Sequence, residues 1–140
     1  MSRKGFTLVE LMVVILIVAI LAAVAIPIMR GRIDAAKWSE GKAMMGTIAT
    51  AIRAYVAELD ENLPDLTVLN GDNLDKCLGF RLGDLEGTYF TRSNFSILSG
   101  SYDVQTNSLL FTIEATKGSG INGPASYTLD QSGTWVAGGI

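Results

Sequence analysis

The chain has 140 residues, a formal net charge of −3 and no histidine. That balance excludes a strongly basic footprint for nucleic acid. With a single cysteine, Cys77, neither a His-assisted nucleophile nor a common zinc site can be assembled, and no intramolecular disulfide can form. An enzyme is therefore the least favoured class, no metal or cofactor is expected, and any folded domain must be held by packing alone.

The first stretch carries the most information. Leu11 to Met29 is a run of 19 uncharged residues, which as a helix rises roughly 28 Å and crosses the hydrocarbon core of a bilayer. One acid, Glu10, stands at its head, preceded by Arg3, Lys4, Gly5, Phe6, Thr7, Leu8 and Val9. A carboxylate within a span costs about 2.5–3.5 kcal/mol near the helix centre and less towards the interface, so Glu10 is expected to need a partner. No cation lies within the run, and the nearest are Arg3 and Lys4, beyond Gly5. Solvation at headgroup depth, a partner from another chain, or a new amino terminus made by cutting after Gly5 all answer that need. Gly5 suits a cut, since a residue without Cβ lets an active site approach the backbone closely. Ala23-Val24-Ala25 also offers a small-x-small site, as in a secretory signal peptide. Against that reading, the apolar run is longer than the usual ~7–15 residues and opens with an acid. A plain, uncut membrane anchor is the other competitor. Charge flanks do not fix orientation, because Arg3 and Lys4 precede the run while Arg30, Arg32 and Lys37 follow it.

Arg3-Lys4-Gly5-Phe6-Thr7-Leu8-Val9-Glu10-Leu11, with the apolar run and Pro27 behind it, resembles the class III signal of type IV pilins and of the related pseudopilins of type II secretion. The resemblance is close from Lys4 to Pro27, loose to about Leu59, and one of general architecture beyond. It implies that a membrane-embedded aspartic prepilin peptidase cuts between Gly5 and Phe6 and methylates the new amine of Phe6. Glu10 is then implied to neutralise the terminal ammonium of a neighbouring subunit during assembly. The implied division is a leader over 1–5, a membrane-spanning and filament-core helix over 6–34, and an extracytoplasmic domain over 35–140 that includes the second half of the helix. Implied partners are identical subunits in a helical homopolymer, the prepilin peptidase/methyltransferase, an inner-membrane assembly platform and, before assembly, inner-membrane lipid. The implied location is the inner membrane, single-pass with a cytoplasmic N-terminus, and afterwards an extracellular pilus or periplasmic pseudopilus.

Within the span, Ala19, Ala22, Ala23 and Ala25 form a small-residue stripe that either lets helices approach closely in lipid or is merely tolerated. Pro27 removes a backbone donor and Gly31 adds freedom, which predicts a kink or locally melted turn between Ala23 and Gly31. The resemblance implies that this region can lose helicity on assembly. From Ile33 to about Leu59 the pattern turns amphipathic: Trp38, Met45, Ile48, Ile52, Tyr55, Val56 and Leu59 recur at helical spacing. A single helix from Phe6 to Leu59, about 80 Å long, is predicted. Gly41 and Gly46 weaken it by about 1 kcal/mol each, or mark close contact with a strand or a neighbouring helix.

Asn62 and Pro64 are predicted to end the helix, leaving Leu63 to Gly87 as an irregular connection, which the resemblance implies is a variable, surface-exposed segment. Asp72 is placed to cap a short helix from Asn73 to Leu78, closed by Gly79, in which Cys77 reads as a small apolar side chain, with intermolecular pairing or lipidation as the alternatives. The acids Asp65, Asp72, Asp75, Asp84 and Glu86 show no fixed calcium-loop spacing and read as a solvated loop. The period then falls to two. Phe95, Ile97, Tyr102 and Val104 make one strand or a pair bent at Gly100, and Leu109 to Thr116 alternates most clearly. Ser126 to Asp130 and Thr134 to Ala137 pair across Gln131-Ser132-Gly133, with Lys117 to Pro124 as a Gly-rich loop. Tyr127 and Trp135 read as core or sheet-edge aromatics rather than binding residues.

The expected fold is α+β and pilin-like, a long N-terminal helix packed on three or four antiparallel strands. The expected function is a structural filament subunit. A major pilin is preferred to a minor pilin or pseudopilin, because Glu10 is retained and no calcium loop of the kind common in major pseudopilins is visible. The alternative of another class is a membrane-anchored extracytoplasmic binding module.

Overall fold

A computed structural model describes residues 5–81 and 83–139. Helix α1 runs Leu8–Ala57. Its last turn tightens, with Glu58 N donating to the Tyr55 carbonyl and Leu59 N to that of Val56, both at 3.2 Å, so the helix closes before Asn62 and Pro64 are reached. Of the kink or locally melted turn expected between Ala23 and Gly31, the melted turn is not formed: these residues stay helical with Pro27 inside α1. Proline forfeits one hydrogen bond, whereas melting the turn would leave several backbone groups unpaired on an apolar segment.

The chain divides into two compact units, one ending at Ala35 and the other beginning at Ala36. In the first, the side chains from Leu8 to Met29 are mostly exposed. In the second, Trp38, Gly41, Met45, Ile48, Ala49, Ile52 and Val56 are buried on one face of α1. That stripe belongs to one core with Phe95, Ile97, Phe111, Ile113, Ala115 and Leu129 of the sheet. Each large aliphatic or aromatic side chain so buried contributes about 1.5–3 kcal/mol.

The sheet is an antiparallel meander, in spatial order β1 (Phe95–Asp103), β2 (Ser108–Thr116), β3 (Ser126–Asp130) and β4 (Trp135–Ala137). Two cross-strand rows face the helix: Phe95, Ala115, Tyr127, Ala137, and Ile97, Ile113, Leu129, Trp135. β1 is one strand, and its irregularity falls between Ile97 and Ser99 rather than at Gly100. Gly100 is needed for a different reason, since a Cβ there would lie 2.6 Å from the Leu110 carbonyl oxygen on β2. Val104 falls outside the strand, its N–H donating to Asn62 Oδ1 at 2.8 Å.

β1 is an edge strand, and the connection closes that edge. Leu63 exchanges two backbone hydrogen bonds with Tyr102, at 2.9 and 2.7 Å. The Asn70 side chain does the work of a strand residue, Nδ2 donating to the Ile97 carbonyl and Oδ1 accepting from Ile97 N, each at 2.7 Å. An edge so occupied no longer templates another chain.

The connection is more ordered than its composition suggested. A 3-10 turn, Leu66–Leu69, starts at Asp65, whose carboxylate accepts from Thr67 N at 2.8 Å. Helix α2 spans Asp72–Leu78 and closes on Gly79 at φ 74. Asp72 is its first residue and not its cap; Gly71, at φ 64, precedes it. Phe90, absent from the periodic pattern, is fully buried. Its ring stacks obliquely on Trp38 with centroids 5.1 Å apart. Trp38 Nε1 is buried without a hydrogen-bond partner among the described residues, a cost its contacts with Phe90 and Tyr127 offset.

Candidate functional site

The head of α1 is built by a reciprocal pair of residues. Glu10 N donates to Thr7 Oγ1 at 3.2 Å, Thr7 N donates to Glu10 Oε2 at 2.9 Å, and the Thr7 hydroxyl donates to the same oxygen at 2.8 Å. This is a capping box, which satisfies orphan donors of the first turn and sets a carboxylate at the positive end of the helix dipole. Glu10 was expected to need a partner, with solvation, another chain or a new amino terminus as the choices; within the chain Thr7 supplies hydrogen bonds that none of these named. The signal was present as Thr-x-x-Glu before an apolar run. Thr7 answers only the hydrogen-bonding need, because a hydroxyl and an amide do not cancel the carboxylate's charge.

Gly5 and Phe6 lie immediately before the cap. Nothing comes within 4 Å of where a Cβ on Gly5 would sit, and Phe6 is 81% exposed. The basic tip, Arg3 and Lys4, lies outside the described residues. Pro27 is not brought to the cap; it sits well along α1. Among the described residues α1 is long and apolar enough to cross a membrane. So large an exposed apolar surface calls for lipid or another chain.

Elsewhere four acids of the connection, Asp65, Asp75, Asp84 and Glu86, are committed locally. Asp75 pairs with Arg92 at 2.9 Å, Asp84 Oδ2 accepts from Arg81 N at 2.8 Å, and Glu86 Oε1 accepts from Arg92 N at 3.3 Å. Hydrogen bonds from Thr67 hold the exposed Asp65 carboxyl below the usual carboxylate range. No group of three or more His, Cys, Asp or Glu side chains converges among the described residues. A groove of about 580 Å³ lies between the turn at Asn70 and the Thr91–Ser96 segment. Its guanidinium, Arg92, is held by Asp75 and the Gly71 carbonyl, and its aromatic, Phe95, is buried in the core.

A family model described as the prokaryotic N-terminal methylation motif matches residues 1–26. A fimbrial protein of Dichelobacter nodosus is 34% identical over 88 residues, 62% of this chain and 55% of that protein, so the match spans little more than half of that relative. The type IV major fimbrial protein FimA of the same organism is 33% identical over 135 residues, 96% of this chain and 70% of its own length. The chain belongs to the type IV pilin family. The pilin is also 43% identical over 54 residues to the type II secretion system core protein G of Pseudomonas aeruginosa, 39% of this chain and 38% of that protein. No solved structure matches this pilin.

Proposed function

We propose that this pilin is the major subunit of a type IV pilus-like filament, cut after Gly5, N-methylated on Phe6 and polymerised through α1. The observation that carries the reading is the Thr7–Glu10 cap at the head of an exposed apolar helix. In one copy the Glu10 carboxylate is hydrogen-bonded but its charge is not cancelled. A neighbour's Phe6 ammonium would cancel it, so lateral assembly lowers the cost of keeping this acid next to lipid. The N-terminus is cytoplasmic before assembly, and the leader 1–5, span 6–34 and exported domain 35–140 belong to the same reading. The last boundary is supported by the division of the chain after Ala35. The peptidase/methyltransferase, the assembly platform and identical subunits are the partners it requires.

A pseudopilin is the second reading, favoured by the likeness to protein G, which covers 39% of the chain. The FimA likeness covers 96% of it and favours the pilus. Intact mass of protein sheared from the cell surface tests the proposal. A subunit lacking Met1 to Gly5 and carrying one added methyl is expected, and Gly5→Leu should remain uncut. Full-length protein found only in the membrane would replace this reading with an anchored binding module.

A further inference from the structure

The two edges of the sheet are finished differently. Along β1 the connection supplies Leu63 and the Asn70 side chain as partners. Beyond β4 no strand pairs among the described residues, and Trp135, Val136 and Ala137 are all exposed. The register with β3, Tyr127 against Ala137, Thr128 against Val136 and Leu129 against Trp135, decides which backbone groups are left over. Asp130 N donates to the Thr134 carbonyl at 3.2 Å and Gly138 N to the Ser126 carbonyl at 2.8 Å. Bonded pairs alternate in an antiparallel ladder, so Val136 bonds to β3 while the N–H and C=O of Trp135 and Ala137 point out of the sheet.

We propose that this edge is an interaction surface for a second copy of the chain, β4 pairing with β4 antiparallel about a two-fold axis at Val136. In that register Trp135 stands opposite Ala137 of the second copy, and each such pair exchanges both hydrogen bonds, so the outward groups are all met. Residues directly opposite share a face, so the largest side chain of the strand meets the smallest, and Val136 meets its own copy on the other face. Slipping by one residue would set Trp135 against Val136, whose N–H and C=O already bond to β3. Thr134 to Gly139 carry no charge, so two acidic copies approach here without opposing like charges. Trp135 belongs to the helix-facing row yet is 38% exposed, because α1 does not reach over it. Lys42 does reach it, with Nζ 4.1 Å from the Tyr127 ring centre and 5.4 Å from that of Trp135, which holds the ring in place before a partner arrives. A two-fold axis normal to the sheet reverses the Trp38 to Val56 stripes of the two copies. Subunits of one helical filament all point the same way, so on the filament reading the contact joins separate filaments. So short an edge binds weakly as a single pair, and a filament that presents many copies multiplies it.

Disulfide trapping of the full-length protein in detergent, with Cys77→Ala as the background, tests the pairing. Val136 and its copy form a non-hydrogen-bonded pair with Cα atoms about 4.5 Å apart, within disulfide reach. Ala137 and its copy lie about 8 Å apart, beyond it. Val136→Cys should therefore form a cross-linked dimer at least about tenfold faster than Ala137→Cys or Thr128→Cys, the last on the same face of β3 but not at an edge. Adding Ala137→Pro removes an outward N–H and none of the β3 ladder, and should slow the Val136→Cys cross-link by about tenfold with the unfolding midpoint unchanged. No dimer from Val136→Cys, equal rates at positions 136 and 137, or a rate untouched by Ala137→Pro would overturn the proposal. None of these outcomes depends on cleavage after Gly5, which the mass of the same protein reports separately.

Discussion

The ring of Phe90 fills the space that a side chain at Gly41 would need: an ideal Cβ on Gly41 would lie 2.7 Å from Phe90 Cζ. The approach is fixed from both sides. Glu40, one residue earlier on α1, accepts the N–H groups of Tyr89 and Phe90 at 2.8 and 3.1 Å through one carboxylate oxygen. A glycine that weakens a helix interior is here the condition for docking the loop before β1 onto it.

Gly41→Ala should accordingly destabilise the domain by about 1–3 kcal/mol, the usual cost of overpacking, despite the better helix propensity of alanine. Gly46→Ala has open space around the new methyl and should stabilise by about 0.5–1 kcal/mol. Denaturant unfolding of both variants, as full-length protein in detergent, gives opposite signs if the packing account is right.

Asn70→Asp keeps an acceptor for Ile97 N but sets a carboxylate oxygen against the Ile97 carbonyl where Nδ2 now donates. Loss of about 1–3 kcal/mol is expected from the carbonyl left unpaired. Amide exchange should quicken at Ile97 while the β2–β3 ladder stays protected.

Asp130 closes the turn between β3 and β4. Its carboxylate accepts from Ser132 N at 2.9 Å, Ser132 Oγ at 2.6 Å and Thr134 N at 2.9 Å, and these bonds, the Ser132 hydroxyl first, hold its pKa below the ordinary value. A carboxyl depressed in the folded state adds stability that is present above its unfolded pKa, about 3.9, and is lost as pH falls through the folded value. Acid titration of stability should therefore show a loss below about pH 4 that Asp130→Asn reduces.

Thr7→Ala removes the cap and should cost the first turn of α1 about 0.5–2 kcal/mol. Faster amide exchange from Leu8 to Leu11 is the readout, and Thr7→Ser should restore protection. Glu10→Ala also removes the charge, and on the proposed function it should leave the precursor inserted and cut while filaments fail or lose their register. Normal filaments from that variant would defeat the assembly role assigned to Glu10.

Much of this was legible in the residues. The Leu109 to Ala115 alternation is a strand because period two puts Phe111, Ile113 and Ala115 on one face. The Trp38 to Val56 stripe is buried because its spacing matches a helix turn. Phe90 and Leu85 were not legible as core, since they stand in a connection with no period to mark a face. Asn62 and Pro64 looked like the helix stop, yet α1 ends at Ala57, and Asn62 instead holds the N–H of Val104 after β1.

The order of residues by itself determined the apolar span, the acid at its head, the helix behind it and the two-residue period of the strands. Each of these depends only on neighbours a few positions apart. Tertiary structure decided where long-range pairs meet: Gly41 beneath Phe90, Asn70 along β1, and the irregularity after Ile97. Such pairings are set by how the connection crosses the edge of the sheet, and local spacing cannot carry that, because the residues involved lie tens of positions apart and share no repeat.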